Sequence, residues 1–171
     1  MKLNRIFLTV FTVCALAILP HLALAHGNEP GSAKATIGNT KVTIDFRRPA
    51  LKGRDLMKLL HPGDLWRMGA DIPTTLDSDG DLDFGGTRVP KGKYFLMARY
   101  VEPGKWTLVV SSKDRQHYEP TAKLAEIPMD VEEGKDAVDA MDIQLSSKGG
   151  RGDIVIAWGT YRLTAPFAPS K

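Results

Sequence analysis

The chain has 171 residues, with 23 basic and 20 acidic side chains and one cysteine, Cys14. Without Lys2 and Arg5, 21 basic residues face 20 acidic ones, so the concentrated positive footprint of a nucleic-acid binder is missing. The single thiol lies in an apolar leader, which rules out thiolate metal centres, redox pairs and internal disulfides in the exported chain.

Residues 1–25 have the layout of a secretory signal peptide: a basic start, an apolar run from Ile6 to Leu19, and small residues ending in Ala25. The run is shorter than the roughly 20 residues of a bilayer span. Cleavage after Ala25 is expected, leaving His26 first and no membrane span in the mature chain. An N-terminal His supplies an amine and an imidazole, as in a copper brace, but no second His is placed to complete one. Residues 26–33 read as a flexible lead-in, 34–165 as a single domain and 166–171 as a flexible tail.

Within the domain, Val42, Ile44 and Phe46 alternate with polar residues, the pattern of a strand with one buried face. Gly38-Asn39 marks a turn from a short strand near Ala35 to Ile37. Leu56, Leu59 and Leu60 predict one or two helical turns over 55–60, stopped by Pro62-Gly63. Asp81 to Val89 reads as a hairpin around Gly85-Gly86, and Tyr94 to Val101 as a central strand. Pro103-Gly104 turns the chain into Trp106 to Ser111. Leu124 to Val131 contains Pro128 and is expected at an edge. Met141 to Leu145 and Asp153 to Leu163 complete the series around a glycine-rich turn. Many short strands with almost no helix predict an all-β fold, an antiparallel two-sheet sandwich of jelly-roll type.

Several chemical patterns are weak. Asp77, Asp79 and Asp81 alternate as calcium ligands do, but Leu82 and Arg88 stand where the helix-loop-helix loop needs Gly and Glu. His26, His61 and His117 form no spaced pair for zinc. No Gly-x-Ser-x-Gly elbow occurs, and Gly86 to Lys93 has the wrong spacing for a phosphate loop. Arg151-Gly152-Asp153 spells an adhesion tripeptide in a turn where such letters arise by chance.

Arg47-Arg48-Pro49, Lys52-Gly53-Arg54, Trp66-Arg67-Met68-Gly69-Ala70-Asp71 and Val89-Pro90-Lys91-Gly92-Lys93-Tyr94 together resemble the signature of the Domain of Unknown Function 2911 family. The resemblance implies an exported bacterial protein and supplies no reaction. The chain departs from the family pattern at Asp71-Ile72, where Asn-Glu is usual.

The residues of this stretch suit a polar ligand site, with Trp66 as an aromatic face, Arg48, Arg54 and Arg67 as oxygen-holding forks, and His61 and Asp71 beside them. The same residues also suit a structural lock. The reading is a periplasmic or secreted binding or envelope-associated module for a small polar ligand, glycan or protein partner. The alternatives are a hydrolase using Arg67, Asp71 and His61, and a surface module stabilised by calcium at Asp77, Asp79 and Asp81.

Overall fold

Apolar residues at every second position, broken at close intervals by Gly, Pro, Asn and Asp, give strands with one buried face. The computed structural model describes residues 28–170, so the expected leader, with Ala25 and His26, lies outside the described residues. The strands are β1 (Asn28–Ile37), β2 (Thr40–Pro49), β3 (Leu65–Trp66), β4 (Thr75–Ser78), β5 (Leu82–Phe84), β6 (Thr87–Val89), β7 (Gly92–Glu102), β8 (Lys105–Ser111), β9 (Lys123–Lys148) and β10 (Arg151–Pro169). Among the described residues the helical pieces are two 3-10 turns, Met57–Leu59 and Pro120–Ala122. The first is the short helix expected over 55–60, reduced to one turn.

Antiparallel pairing joins all ten strands into one sheet, in the order β1-β2-β4-β7-β8-β9-β10-β5-β6, with β3 also on β7. This single sheet replaces the two separately bonded sheets expected from the sequence. The physical reason is strand length: β9 runs for 26 residues and β10 for 19, so both carry the ladder from one flank of the molecule to the other. The sheet also bends back on itself. Ala50, just past β2, bridges to Ala140 in β9, although β4, β7 and β8 separate those strands along the ladder.

Pairing reaches further at both ends than the composition suggested. β1 starts inside the expected lead-in, because its ladder with β2 runs from Ile37–Thr40 out to Asn28–Pro49. β10 passes through Pro166 into the expected tail, where Ala168 and Pro169 pair with Asp83 and Leu82. Pro128 obeys the edge rule only locally: it faces Thr107 of β8, and pairing of β9 with β10 begins at Asp130. Arg151-Gly152-Asp153 opens β10 instead of forming a free loop, with Gly152 buried.

The inward side chains form one core that includes Ile37, Ile44, Phe46, Leu76, Leu96, Leu108, Met141 and Ile154. Phe84 of β5 stacks on Phe167 of β10 with ring centroids 5.7 Å apart. Gly152 leaves room for that stack, since a Cβ there would meet Phe167 at 2.5 Å and Ile37 at 3.1 Å. Gly152→Ala is therefore expected to lower stability by about 2 kcal/mol through overpacking, read as a reduced urea midpoint at unchanged slope. An unchanged midpoint would show that the Phe167 ring moves aside freely.

Candidate functional site

β3 and β4 pair with the same side of β7, since Leu65 and Trp66 face Arg99 and Ala98 while Thr75 to Ser78 face Phe95 to Gly92. The chain from Arg67 to Thr74 leaves that edge and must return to it. Met68 turns the chain with a left-handed φ of 53° and plugs the core, fully buried. Gly69 lies against β2, where a Cβ would stand 3.0 Å from the Thr74 hydroxyl and 3.4 Å from the Arg47 carbonyl. The Thr74 hydroxyl donates to the Met68 carbonyl at 2.6 Å, and Leu96 N–H donates to the Thr74 carbonyl at 3.0 Å. Met68 and Gly69 of the run Trp66 to Asp71 thus serve packing and loop closure.

Trp66 belongs to an aromatic cluster. It stacks on Trp158 at 5.1 Å and 11°, meets Trp106 edge-on at 6.3 Å, and Trp106 in turn contacts Tyr100 at 5.1 Å. Trp158 Nε1 donates to the Asp139 carbonyl at 3.1 Å. Asp139 also receives the amides of Leu51 and Lys52, which fixes the start of the segment leading to the helical turn.

Three hollows are lined in part by the segment from Leu51 to Leu60, which contains the helical turn Met57–Leu59. One, of about 370 Å³, is lined by Leu59, Leu60, Asp64, Trp66, Arg67 and Arg115. A second, of about 410 Å³, includes Met57, Tyr100, Trp106, Glu133 and Tyr161. The third, of about 290 Å³, includes Arg54, Asp55, Glu133, Thr160 and Tyr161.

In the first hollow Arg115 Nε donates to the Leu65 carbonyl. Arg67 has no ion-pair or hydrogen-bond partner among the described residues. Asp64, the one carboxylate there, accepts the His61 amide at 2.8 Å and lies 3.5 Å from its ring. Two guanidiniums beside an indole make a site suited to an oxyanion.

The predicted residues are not gathered in one place. Trp66 and Arg67 share the first hollow, and Arg54 lines the third, held by the Leu51 and Ala50 carbonyls at 2.9 and 3.1 Å. Arg48 is a strut: its Nη1 stands 2.5 Å from Asp142 Oδ1 without hydrogen-bond alignment, and its guanidinium caps the Phe46 ring at 5.2 Å. His61 is exposed on the Pro62-Gly63 turn, and Asp71 is exposed with a left-handed φ of 60°; neither lines the Arg67 hollow. The hydrolase reading therefore lacks the acid and imidazole it required beside Arg67.

The aspartates are likewise dispersed. Asp77 lies within β4, between Thr43 and Lys93. Asp79 accepts the Lys41 amide at 2.7 Å. Asp81 is tied to Arg88 and the Lys91 amide, and these bonds, the amide first, lower its pKa. Among the described residues no three His, Cys, Asp or Glu side chains could hold one metal ion.

Sequence reasoning missed Arg115, which sits in the polar stretch after β8, and missed Glu133 and Tyr161. No local pattern marks them: the stretch after β8 carries Arg115 to the Leu65 carbonyl, and the pairing of β9 with β10 sets Glu133 beside Tyr161. Beside the first hollow, on the β7–β8–β9 face, it also missed Glu126, which accepts from Arg99 Nε at 2.9 Å, Thr107 at 2.7 Å and Lys123 at 2.7 Å. Burial alone would raise its pKa, but those three donors outweigh burial and hold it at about 2.

No curated protein and no solved structure matches this chain. A family model described as protein of unknown function (DUF2911) matches residues 29–167, which takes in every strand named above except the first residue of β1 and the last two of β10. The chain belongs to that family.

Proposed function

We propose that the protein is an exported, non-enzymatic binding module that holds a small oxyanion, a carboxylate or a phosphate, in the hollow between Trp66, Arg67 and Arg115. The observation that carries this reading is Arg67: a half-buried guanidinium without a carboxylate partner among the described residues, facing an open hollow shared with a second guanidinium. Arginine forks match the paired oxygens of such anions, and the indole provides a flat wall. Export is supported by the three-part leader of residues 1–25. Two layers packed in the jelly-roll manner are supported by the way the two flanks of the sheet share one core, with Ile37 of β1 and Phe167 of β10 both meeting the space above Gly152.

Calorimetric titration with phosphate and with citrate tests the site. Arg67→Gln is expected to weaken binding by about tenfold or more, since each charge-assisted pair is worth somewhat over 1.4 kcal/mol, with stability changed by less than about 0.5 kcal/mol. Added salt should weaken binding further by screening the exposed charges. Equal affinity of wild type and Arg67→Gln for both anions would reject the assignment.

A further inference from the structure

The second and third hollows adjoin and together make a cleft, for Glu133 and Tyr161 line both. The cleft is built by an interruption of the longest ladder in the sheet. Between Gly159–Val138 and Tyr161–Glu133 the pairing of β10 with β9 skips residues 134–137 of β9, of which Ala137 lines the third hollow. Gly159 permits the break with a left-handed φ of 61°, and a Cβ there would stand 3.0 Å from Leu51. Bulges of this kind re-aim side chains and collect at functional sites. This one turns Glu133, Thr160 and Tyr161 toward the helical turn.

The two halves differ in chemistry. On one side Arg54, Asp55, Glu133 and Thr160 offer donors and acceptors at close quarters. Arg54 is held through Nε and Nη2 by backbone carbonyls, so its direction is fixed before any ligand arrives. The Thr160 hydroxyl lies 3.3 Å from Glu133 Oε1. On the other side Met57, Tyr100, Pro103, Trp106 and Val131 make an apolar wall. Tyr161 stands between them, its pKa raised by burial and then by the Glu133 and Asp55 carboxylates, so its hydroxyl stays a donor.

We infer that this cleft binds a neutral saccharide of at least two units, one ring on each side of the Glu133–Tyr161 pair. A sugar presents vicinal hydroxyls, which a fixed guanidinium and carboxylates hold in opposite senses, and an apolar C–H face, which the aromatic and Met57 wall receives. Two carboxylates disfavour an anion here, and the fixed guanidinium of Arg54 disfavours an amine. The cleft shares no lining residue with the Arg67 hollow.

Saturation-transfer NMR on the full mature chain tests the inference, with cellobiose, maltotriose and diacetylchitobiose as neutral probes, and choline and glucuronate as charged ones. At least one neutral probe should show transfer to its ring protons, and Glu133→Gln and Tyr161→Phe should each weaken it by about fivefold, with folding checked by circular dichroism. Two substitutions at chemically different groups guard against a variant that merely fails to fold. The inference is overturned by any of three results: no transfer to any neutral probe, transfer unchanged in both variants, or choline or glucuronate bound more tightly than every sugar.

Discussion

Replacing Trp158 with alanine is expected to destabilise the protein by about 4 kcal/mol, at the upper end of what a truncated core aromatic costs. Trp158 is only 7% exposed, and its ring backs Trp66 face to face. Truncation removes that stack, opens a cavity under β3 and leaves the Asp139 carbonyl without its indole donor. The effect extends beyond stability. Trp66 forms one wall of the hollow proposed to take an anion, so losing its support should also weaken phosphate binding although Trp158 does not line that hollow. Trp158→Phe keeps an aromatic backing while losing the N–H, and should recover at least half of the lost stability. Urea unfolding followed by Trp fluorescence measures both variants; a loss below about 1 kcal/mol for Trp158→Ala would mean the stack contributes little beyond filling space.

Glu126→Ala is expected to cost about 3 kcal/mol at neutral pH, because Arg99 is then left largely buried without its carboxylate. Arg99 and Glu126 are 26% and 17% exposed at the side chain, so the pair is shielded more than the other ion pairs of the surface. The pH dependence follows from the folded pKa of about 2, set against the ordinary glutamate value of 4.5. A depressed pKa means that the unfolded chain binds the proton more readily. The stabilisation is therefore fully present above pH 4.5 and is lost as the pH falls toward 2. Over that window wild type should lose on the order of 2 kcal/mol from this group, after allowing for residual solvent screening. Glu126→Gln should show a flatter acid limb. Parallel acid limbs in the two proteins would mean that Lys123, Thr107 and Arg99 do not hold the carboxylate as the geometry indicates.

The strands were legible because their signal is local. Val42, Ile44 and Phe46 alternate with polar residues whatever the rest of the chain does, and Gly85-Gly86 turns it back without help. β3 and β4 were missed for the opposite reason: two and four residues are too few to show a period, and β3 exists because β7 offers an edge to pair with, β4 because it fills the gap between β2 and β7. The single sheet was hidden as well, since nothing in the composition of β9 says that it carries β8 on one flank and β10 on the other.

The site was legible only in part. Arg67 and Trp66 were marked by residue type in a loop, and both line one hollow. Arg48 carried the same mark and turned out to be a strut between β2 and β9, because an Arg facing a carboxylate across a sheet looks identical in sequence to one awaiting a ligand. Asp77, Asp79 and Asp81 were marked by spacing, yet the turn into β5 sends each toward a different partner or pairing strand. Glu133 and Tyr161 could not be marked at all. They meet through the bulge in β9, a feature of pairing and not of either segment alone.

Whether Arg67 and Arg115 hold an oxyanion against Trp66 is tested most directly by a two-dimensional 15N NMR titration of the protein with phosphate at constant ionic strength. Saturable shifts of the Trp66 indole N–H and the Arg67 and Arg115 Nε–H signals are expected, with one common dissociation constant, while signals from β5 and β6 stay still. Shifts that never saturate, or that spread evenly over the exposed lysines and arginines, would contradict the proposal.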